Sequence, residues 1–205
     1  STDGGKTWIK KLFVNESAGA VDLIMDPTNP RILYASTWNV RRTPYSLSSG
    51  GEGSALWKST DSGENWIEIS KNDGFAEGIL GNIGVAISPV NNDVIWAIVE
   101  NKDKGGVYKS MDGGDNWINI SGTLPNIPIN CIELDKSDVL ETIYIGTDLG
   151  VFSTDSTLSD WNLFGNNLPH VIVNELEGSD SDFEDAIMLG NRVFDQLATP
   201  FLVLH

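Results

Sequence analysis

The sequence predicts an all-β chain: an incomplete β-propeller of four-stranded antiparallel blades, with about three full blades and parts of others. Three observations predict it. First, an S-x-D-x-G-x-x-W pattern recurs as "STDGGKTW" from Ser1, "STDSGENW" from Ser59 and "SMDGGDNW" from Ser110, with a worn copy, "STDSTLSDW", from Ser153. The pattern tryptophans Trp8, Trp66, Trp117 and Trp161 are 58, 51 and 44 residues apart, near the period of a propeller blade. Second, two β-forming runs joined by a turn precede each later copy. Third, one short strand leads into each copy and another follows it, so that strands A, B, C and D repeat.

In chain order, residues 1–13 read as the last hairpin of an earlier blade. The first full blade spans roughly 20–70, with strands A and B in "VDLIMDPTNPRILYAS", strand C in "SALWKS" and strand D in "WIEIS". The second spans 81–121, with "IGVAISPVNNDVIWAIV", "GGVYKS" and "WINIS"; the third spans 128–165, with "INCIELDKSDVLETIYIGT", "GVFST" and "WNLF". Asp-Pro, Asn-Pro, Ser-Pro and Asn-Asn pairs mark the A–B turns. "HVIVNELE", His170 to Glu177, reads as the first strand of a following blade. The propeller portion is thus 1–178, and 179–205 is an atypical tail. There Ser181 and Glu184 form a capping box, and Phe183, Ile187, Gly190, Phe194 and Leu197 follow at helical spacing. A helix near 182–197 is expected.

Each repeated pattern falls at a C–D hairpin, and every residue type in it has a structural task. The aspartates Asp3, Asp61, Asp112 and Asp155 accept bonds from main-chain N–H groups in a tight turn. Gly5, Gly63 and Gly114 supply a left-handed position. The hydroxyls of Ser1, Ser59, Ser110 and Ser153 add a second local bond, and the tryptophans cover the turn. No base or nucleophile recurs with the set, and catalytic groups rarely come in equivalent copies, so the pattern reads as structural.

The pattern resembles the Asp-box, or bacterial neuraminidase (BNR) repeat, of sialidases, xyloglucanase-type glycosidases and sortilin receptors. That resemblance implies a structural turn remote from any active site. The longer stretch "DPTNPRILYASTWNVRRTPYSLSSGGEGSALWKSTDSGENW" resembles bacterial sortilin-like, glycosyl hydrolase-like repeat proteins. "IYIGTDLGVF" with "LPHVIVNELE" is similar to the ends of propellers in large secreted proteins of Bacteroidetes type. These resemblances imply an exported parent, extracellular or at the cell surface. The fourth copy departs from the pattern, lacking the glycine and carrying an extra residue.

The net charge of −16 and the lack of a basic cluster argue against a nucleic-acid partner. No run of about 18 apolar residues occurs, as a membrane-spanning helix requires. Cys131 is the single cysteine; it lies in the alternating run "INCIEL" and reads as a small buried side chain. His170 and His205 are isolated from ligand-spaced partners, and the glycine pairs open no helix, so no metal or cofactor is expected.

In a propeller the B–C and D–A loops share one face, and the A–B and C–D turns share the other. Any conventional site therefore lies opposite the repeated turns. One B–C loop stands out there: "TWNVRRTPYSLSSGGEG", Thr37 to Gly53, against "ENKDK" and "DL" in the other blades. Long loops in compact repeats carry function or disorder. This one holds Trp38, Arg41, Arg42, Tyr45 and Glu52, with Asp73 and Glu77 expected from the neighbouring D–A loop. Aromatic and arginine groups together suit a sugar face, a peptide or a carboxylate; the plainer reading is that Trp38 packs the blade and the arginines form exposed ion pairs.

A glycosidase needs two carboxylates flanking the scissile bond. Asp73, Glu77, Glu100, Asp103 and Asp148 are on the candidate face, but 29 acidic residues make their presence uninformative, and no catalytic constellation is identified. A sialidase's arginine cluster is missing, because only Arg31, Arg41, Arg42 and Arg192 exist and Arg31 falls in an A–B turn. The expected function is recognition of a glycan or protein segment by the loop face, with the remaining blades of a parent protein as further partners. The alternatives are a xyloglucanase-like hydrolase completed by acids elsewhere, and purely structural blades.

Overall fold

The computed structural model describes residues 1–135, 141–157, 160–165, 171–178 and 187–190. The first sheet contains β1 (Ala18–Met25), β2 (Leu33–Thr43), β3 (Ser46–Ser49), β4 (Ala55–Ser59) and β5 (Ile67–Glu68). Its order is β1-β2-β4-β5, with β3 folded back on the far end of β2. The second holds β6 (Leu80–Ile87), β7 (Ile95–Asn101), β8 (Gly106–Ser110) and β9 (Ile118–Asn119). The third holds β10 (Ile129–Leu134), β11 (Ile143–Thr147), β12 (Gly150–Thr154) and β13 (Asn162–Leu163). All neighbours pair antiparallel in sequence order. These are the blades of a partial propeller, and the predicted spans meet them to within two residues at every end. No helix occurs among the described residues.

Alternation within the strands builds the packing between blades. In β7, Ile95, Ala97 and Val99 turn to a cluster shared with Tyr34, Leu56 and Ile69 of the first blade. Trp96 and Ile98 turn the other way, to Leu134, Ile143, Ile145 and Trp161 of the third. Both faces of this strand are therefore buried, and its sequence is apolar almost throughout. By contrast, Val21, Leu23 and Met25 of β1 are exposed. Each inner strand carries a register shift near its start, between Ala20 and Asp22, Leu80 and Ile83, and Ile129 and Cys131. Such bulges increase local twist.

The three intact repeat turns share one bonding scheme. In the second, the Ser59 hydroxyl donates to Asp61 (2.9 Å) and accepts from Gly63 N–H (2.8 Å), while Asp61 accepts from Asn65 N–H (2.8 Å) and from its side-chain amide (2.6 Å). Ser110, Asp112, Gly114 and Asn116 repeat this, as do Ser1, Asp3, Gly5 and Thr7. The residue just before the tryptophan, which the pattern leaves open, is thus a working member. So is the one before the glycine: Ser62 has φ 65°, where Gly4 and Gly113 stand in the other copies. In the worn copy, Asp155 accepts instead from Thr157 N–H and Oγ1.

These bonds hold Asp61 and Asp112 at a pKa of about 2. The main-chain N–H and then the side chain of Asn65 dominate for Asp61, and the side chain and then the main-chain N–H of Asn116 for Asp112. A folded-state pKa below the ordinary 3.8 means a contribution present above that value and lost as pH falls through about 2. Denaturant melts between pH 5 and pH 2 are expected to show falling stability over the lower half of that range. Asp112→Asn is expected to give a shallower fall; a slope identical to the parent's would contradict this role.

Three expectations need correction. Residues 1–17 form no strand, although the first repeat turn is intact. A D strand pairs with a C strand, and residues 1–17 supply none. At the other end, Ile187–Gly190 is not helical: it is β15, paired antiparallel with β14 (Glu175–Gly178). The edge of β14 offers unpaired main-chain groups, which this segment satisfies, and Gly190 weakens the helical alternative. The rest of the 182–197 span lies outside the described residues. The strand expected from His170 begins only at Glu175; His170 lies outside the described residues, and before β14 Val173 N–H bonds to Thr147 O at 2.9 Å.

Candidate functional site

The two faces separate as expected. On one, A–B turns bond to C–D turns: Ser62 N–H donates to Arg31 O and Gly113 N–H to Asp93 O. On the other, the B–C turn of the second blade meets the D–A connection, where the Asn101 side-chain amide donates to Glu77 O (3.0 Å) and Ile79 O (3.1 Å).

The long B–C segment is a β-hairpin rather than an irregular loop. β2 runs 11 residues, and its far half pairs with β3: Val40 with Ser49, Arg41 with Ser48, Arg42 with Leu47 and Thr43 with Ser46. The Thr43 hydroxyl closes the Pro44–Tyr45 turn by accepting from Tyr45 N–H and Ser46 N–H. Tyr45 at the tip is 96% exposed. Arg41 and Arg42, one residue apart on a strand, lie on opposite faces of the hairpin. Both are exposed, and neither forms an ion pair among the described residues.

Trp38 is half-buried at the hairpin's base. Its indole N–H donates to the Ser49 hydroxyl (2.9 Å), Ser49 donates to Glu100 (2.5 Å), and Glu100 accepts from Asn82 N–H (2.8 Å). The hairpin is thereby tied to the second blade. Trp38, Glu100 and Asp148 occupy equivalent positions, each five residues after the B-strand residue that pairs with the end of strand C: Leu33 with Ser59, Ile95 with Ser110 and Ile143 with Thr154. Trp38 lines a cavity of about 360 Å³ that crosses the inner strands of all three blades, together with Asp22, Asn82, Asn130 and Cys131. Burial pushes the Cys131 thiol up to about 11, which leaves it protonated and unreactive.

Asp73 and Glu77 lie elsewhere. They line a larger cavity, about 710 Å³, with Glu52, Trp57, Lys71 and Phe75. Neither Arg41, Arg42, Tyr45 nor Trp38 lines it, so the expected six-residue site divides into a projecting hairpin and an adjoining cavity. Asp73 is drawn away by its main chain, which accepts from Trp117 N–H at 2.8 Å beside the second blade's repeat turn. Glu77 pairs with Lys104; that bond and charge lower the Glu77 pKa and raise that of Lys104. The direction is opposite to what a general acid needs.

The carboxylates considered for hydrolysis are mostly engaged: Glu77 by Lys104, Glu100 by Ser49 and Asn82, and Asp148 by Asn130 at 3.0 Å. Among the described residues, no group of three or more His, Cys, Asp or Glu side chains is arranged to hold a metal ion, and no helix is long and apolar enough to cross a membrane. Ser49, Trp57 and Lys71 join the candidate face without having been singled out from sequence. Trp57 sits in an ordinary strand, and only the bond from its indole to Thr37 Oγ1 (2.9 Å) and the cavity beside it set it apart.

No family model and no curated protein sequence matches the chain. Solved structures do resemble it. The GH74 enzyme of Niastella koreensis is 20% identical with a TM-score of 0.57, over 84% of this chain and 26% of that one. An ancestral GH74 enzyme is 17% identical with a TM-score of 0.62, over 84% and 24%. The GH74 xyloglucanase of Xanthomonas campestris is 20% identical with a TM-score of 0.63, over 100% and 32%. The chain therefore spans about a quarter to a third of the length of these enzymes, and at such identities the likeness is one of fold: a β-propeller segment.

Proposed function

We propose that this chain is a propeller segment of an exported protein that recognises a polysaccharide through its loop face. The observation that carries the reading is the β2–β3 hairpin. It projects an aromatic tip and two arginines without an ion pair among the described residues, and it adjoins a cavity of about 710 Å³ lined by Trp57, Lys71 and four carboxylates, Glu52, Glu68, Asp73 and Glu77. The cavity lies within the about 300–1,000 Å³ typical of small-ligand sites. Aromatic faces with hydrogen-bonding rims suit sugar rings. The repeated turns are read as Asp-boxes with a structural role, since the serine and aspartate side chains bond within the turn and the turn's main chain bonds to neighbouring parts of the fold. A peptide ligand remains the competing occupant, to be separated by assay.

The second reading, a glycoside hydrolase completed by carboxylates outside these residues, is favoured by the GH74 fold likeness and by the chain's spanning only part of those enzymes. It is disfavoured within these residues by the engagement of Glu77, Glu100 and Asp148.

Replacing Arg41–Ser48 by a two-residue turn tests the proposal, because the Val40–Ser49 pair and the Trp38 anchor remain. Titration with xyloglucan oligosaccharides is expected to show at least about tenfold weaker binding, or about 1.4 kcal/mol, with little change in melting temperature. Retained affinity would remove the hairpin from recognition. Binding of peptides but not glycans would replace the ligand class, and release of reducing ends by the unaltered chain would favour the hydrolase.

A further inference from the structure

The direction of the β2–β3 hairpin is set by the second blade. A two-stranded hairpin projecting alone is marginal in water, and this one closes on a turn without the usual hairpin residues. Its base, however, lies against β6 and β7. Gly51 N–H donates to Leu80 O at 3.2 Å. Gly50, at φ 89°, lies so close to the same carbonyl that an added Cβ would meet it at 2.8 Å. One residue earlier, the Ser49 hydroxyl donates to Glu100.

Glu100 is held for this contact by its own blade. One carboxylate oxygen accepts from Asn82 N–H at 2.8 Å and from the Ser49 hydroxyl at 2.5 Å, and Ser49 accepts in turn from the Trp38 indole N–H at 2.9 Å. Glu100 has no ion pair among the described residues. Gly81 makes room for the carboxylate: the nearest atoms to a Cβ added there are Glu100 Oε2, Cδ and Cγ, all too close to tolerate it. Gly81 lies outside the left-handed region, so a close approach and not a turn requires glycine here. At the equivalent position of the third blade, Asp148 accepts from Asn130 of its own blade.

We propose that Glu100 is a positioning residue for glycan recognition, acting through Ser49 and Trp38 to hold the hairpin in the pose that meets the ligand. This rests on the recognition role proposed for the hairpin. Without the carboxylate, the Ser49 hydroxyl and Asn82 N–H lose their shared acceptor, and the Gly51–Leu80 bond remains as a hinge. The strand pairs persist, but the hairpin no longer keeps one direction. Apparent affinity falls in proportion to the fraction of molecules in the competent pose. Gly81 serves the same end by leaving the carboxylate its place.

The test pairs NMR of the ligand-free whole chain with calorimetric titration of xyloglucan oligosaccharides. The spectra report exchange protection of the Trp38 indole N–H and through-space contacts between Ser49 and Asn82. Glu100→Ala is expected to remove both signals and to weaken binding at least about fivefold, the factor by which the competent fraction falls, with little change in melting temperature. Gly81→Ala is expected to do the same with the charge retained, since the flexible end of Glu100 is what must yield. Glu100→Gln keeps a carbonyl acceptor and retains the contacts and most of the affinity. Ser49→Ala, which alters only the hairpin, shows the same losses and decides the matter if a Glu100 variant does not fold. Contacts and affinity both unchanged in folded Glu100→Ala would overturn the proposal. So would weakened binding with the contacts intact, because Glu100 would then touch the ligand itself. Lost contacts with full affinity, or no binding by the unaltered chain, would overturn both this proposal and the recognition role of the hairpin.

Discussion

Trp117→Ala is expected to destabilise the fold by about 3–5 kcal/mol, the range for emptying a buried tryptophan site. Trp117 is 4% exposed, and its ring meets that of Phe75 edge-on at 5.0 Å in the cluster joining the first two blades. The same substitution in the equivalent turn at Trp8, 79% exposed, is expected to cost under about 0.5 kcal/mol, with half-buried Trp66 between them. All three tryptophans occupy the same place in the same local pattern; the indole N–H donates to Gly5 O and to Gly63 O in the first two turns, whereas that of Trp117 is buried without a partner among the described residues, so a larger loss at Trp117 reports burial and not a turn bond. Denaturant midpoints of the three variants give the comparison, and three equal losses would show that the turn itself, not the junction, sets the cost.

Asp26→Ala is expected to cost about 1.5–3 kcal/mol, the range for hydrogen bonds to a charged group, since it removes a buried ionised acceptor shared by several donors. Asp26 is 1% exposed and accepts from Thr28 N–H (2.7 Å), Thr28 Oγ1 (2.9 Å), Asn29 N–H (3.0 Å) and the Asn92 amide of the next blade (2.7 Å). Burial pushes its pKa up, but the bonds from Asn92, Thr28 and Asn29 outweigh this and hold it below the ordinary carboxylate value. Asp26→Asn keeps an acceptor oxygen and is expected to recover part of the loss. A double-mutant cycle with Asn92→Ala measures the link between blades; additive losses would confine Asp26 to its own turn.

Several features had no local signature. The Asp26–Asn92 clamp joins residues far apart in the chain, and the Ser88–Glu141 bond repeats the device at the next junction. Nothing in "DPTNP" distinguishes a turn aspartate that bonds only its own loop from one that also holds its neighbour. In the sequence the hairpin is legible only as a long loop, since Pro44–Tyr45 is not a usual two-residue hairpin turn. Its closure depends on the Thr43 hydroxyl, which a pattern search does not weigh. The grouping of Asp73 with Trp38 failed because the D–A connection drops to pair with Trp117 before it returns to the loop face.

The sequence by itself determined strands A to D of the three full blades, their order and the blade limits, because each blade is made locally: β-forming runs, turn residues at fixed offsets and a repeated Ser-Asp-Gly-Trp turn act within about 50 residues. It also marked the repeat aspartates as structural, since their donors lie four residues away. Tertiary structure alone decided which equivalent side chains are buried, which acceptors are shared between blades and which loop residues meet. Those outcomes depend on how one sheet's face lies against the next. The same turn therefore leaves Trp8 in solvent and seals Trp117 in a junction.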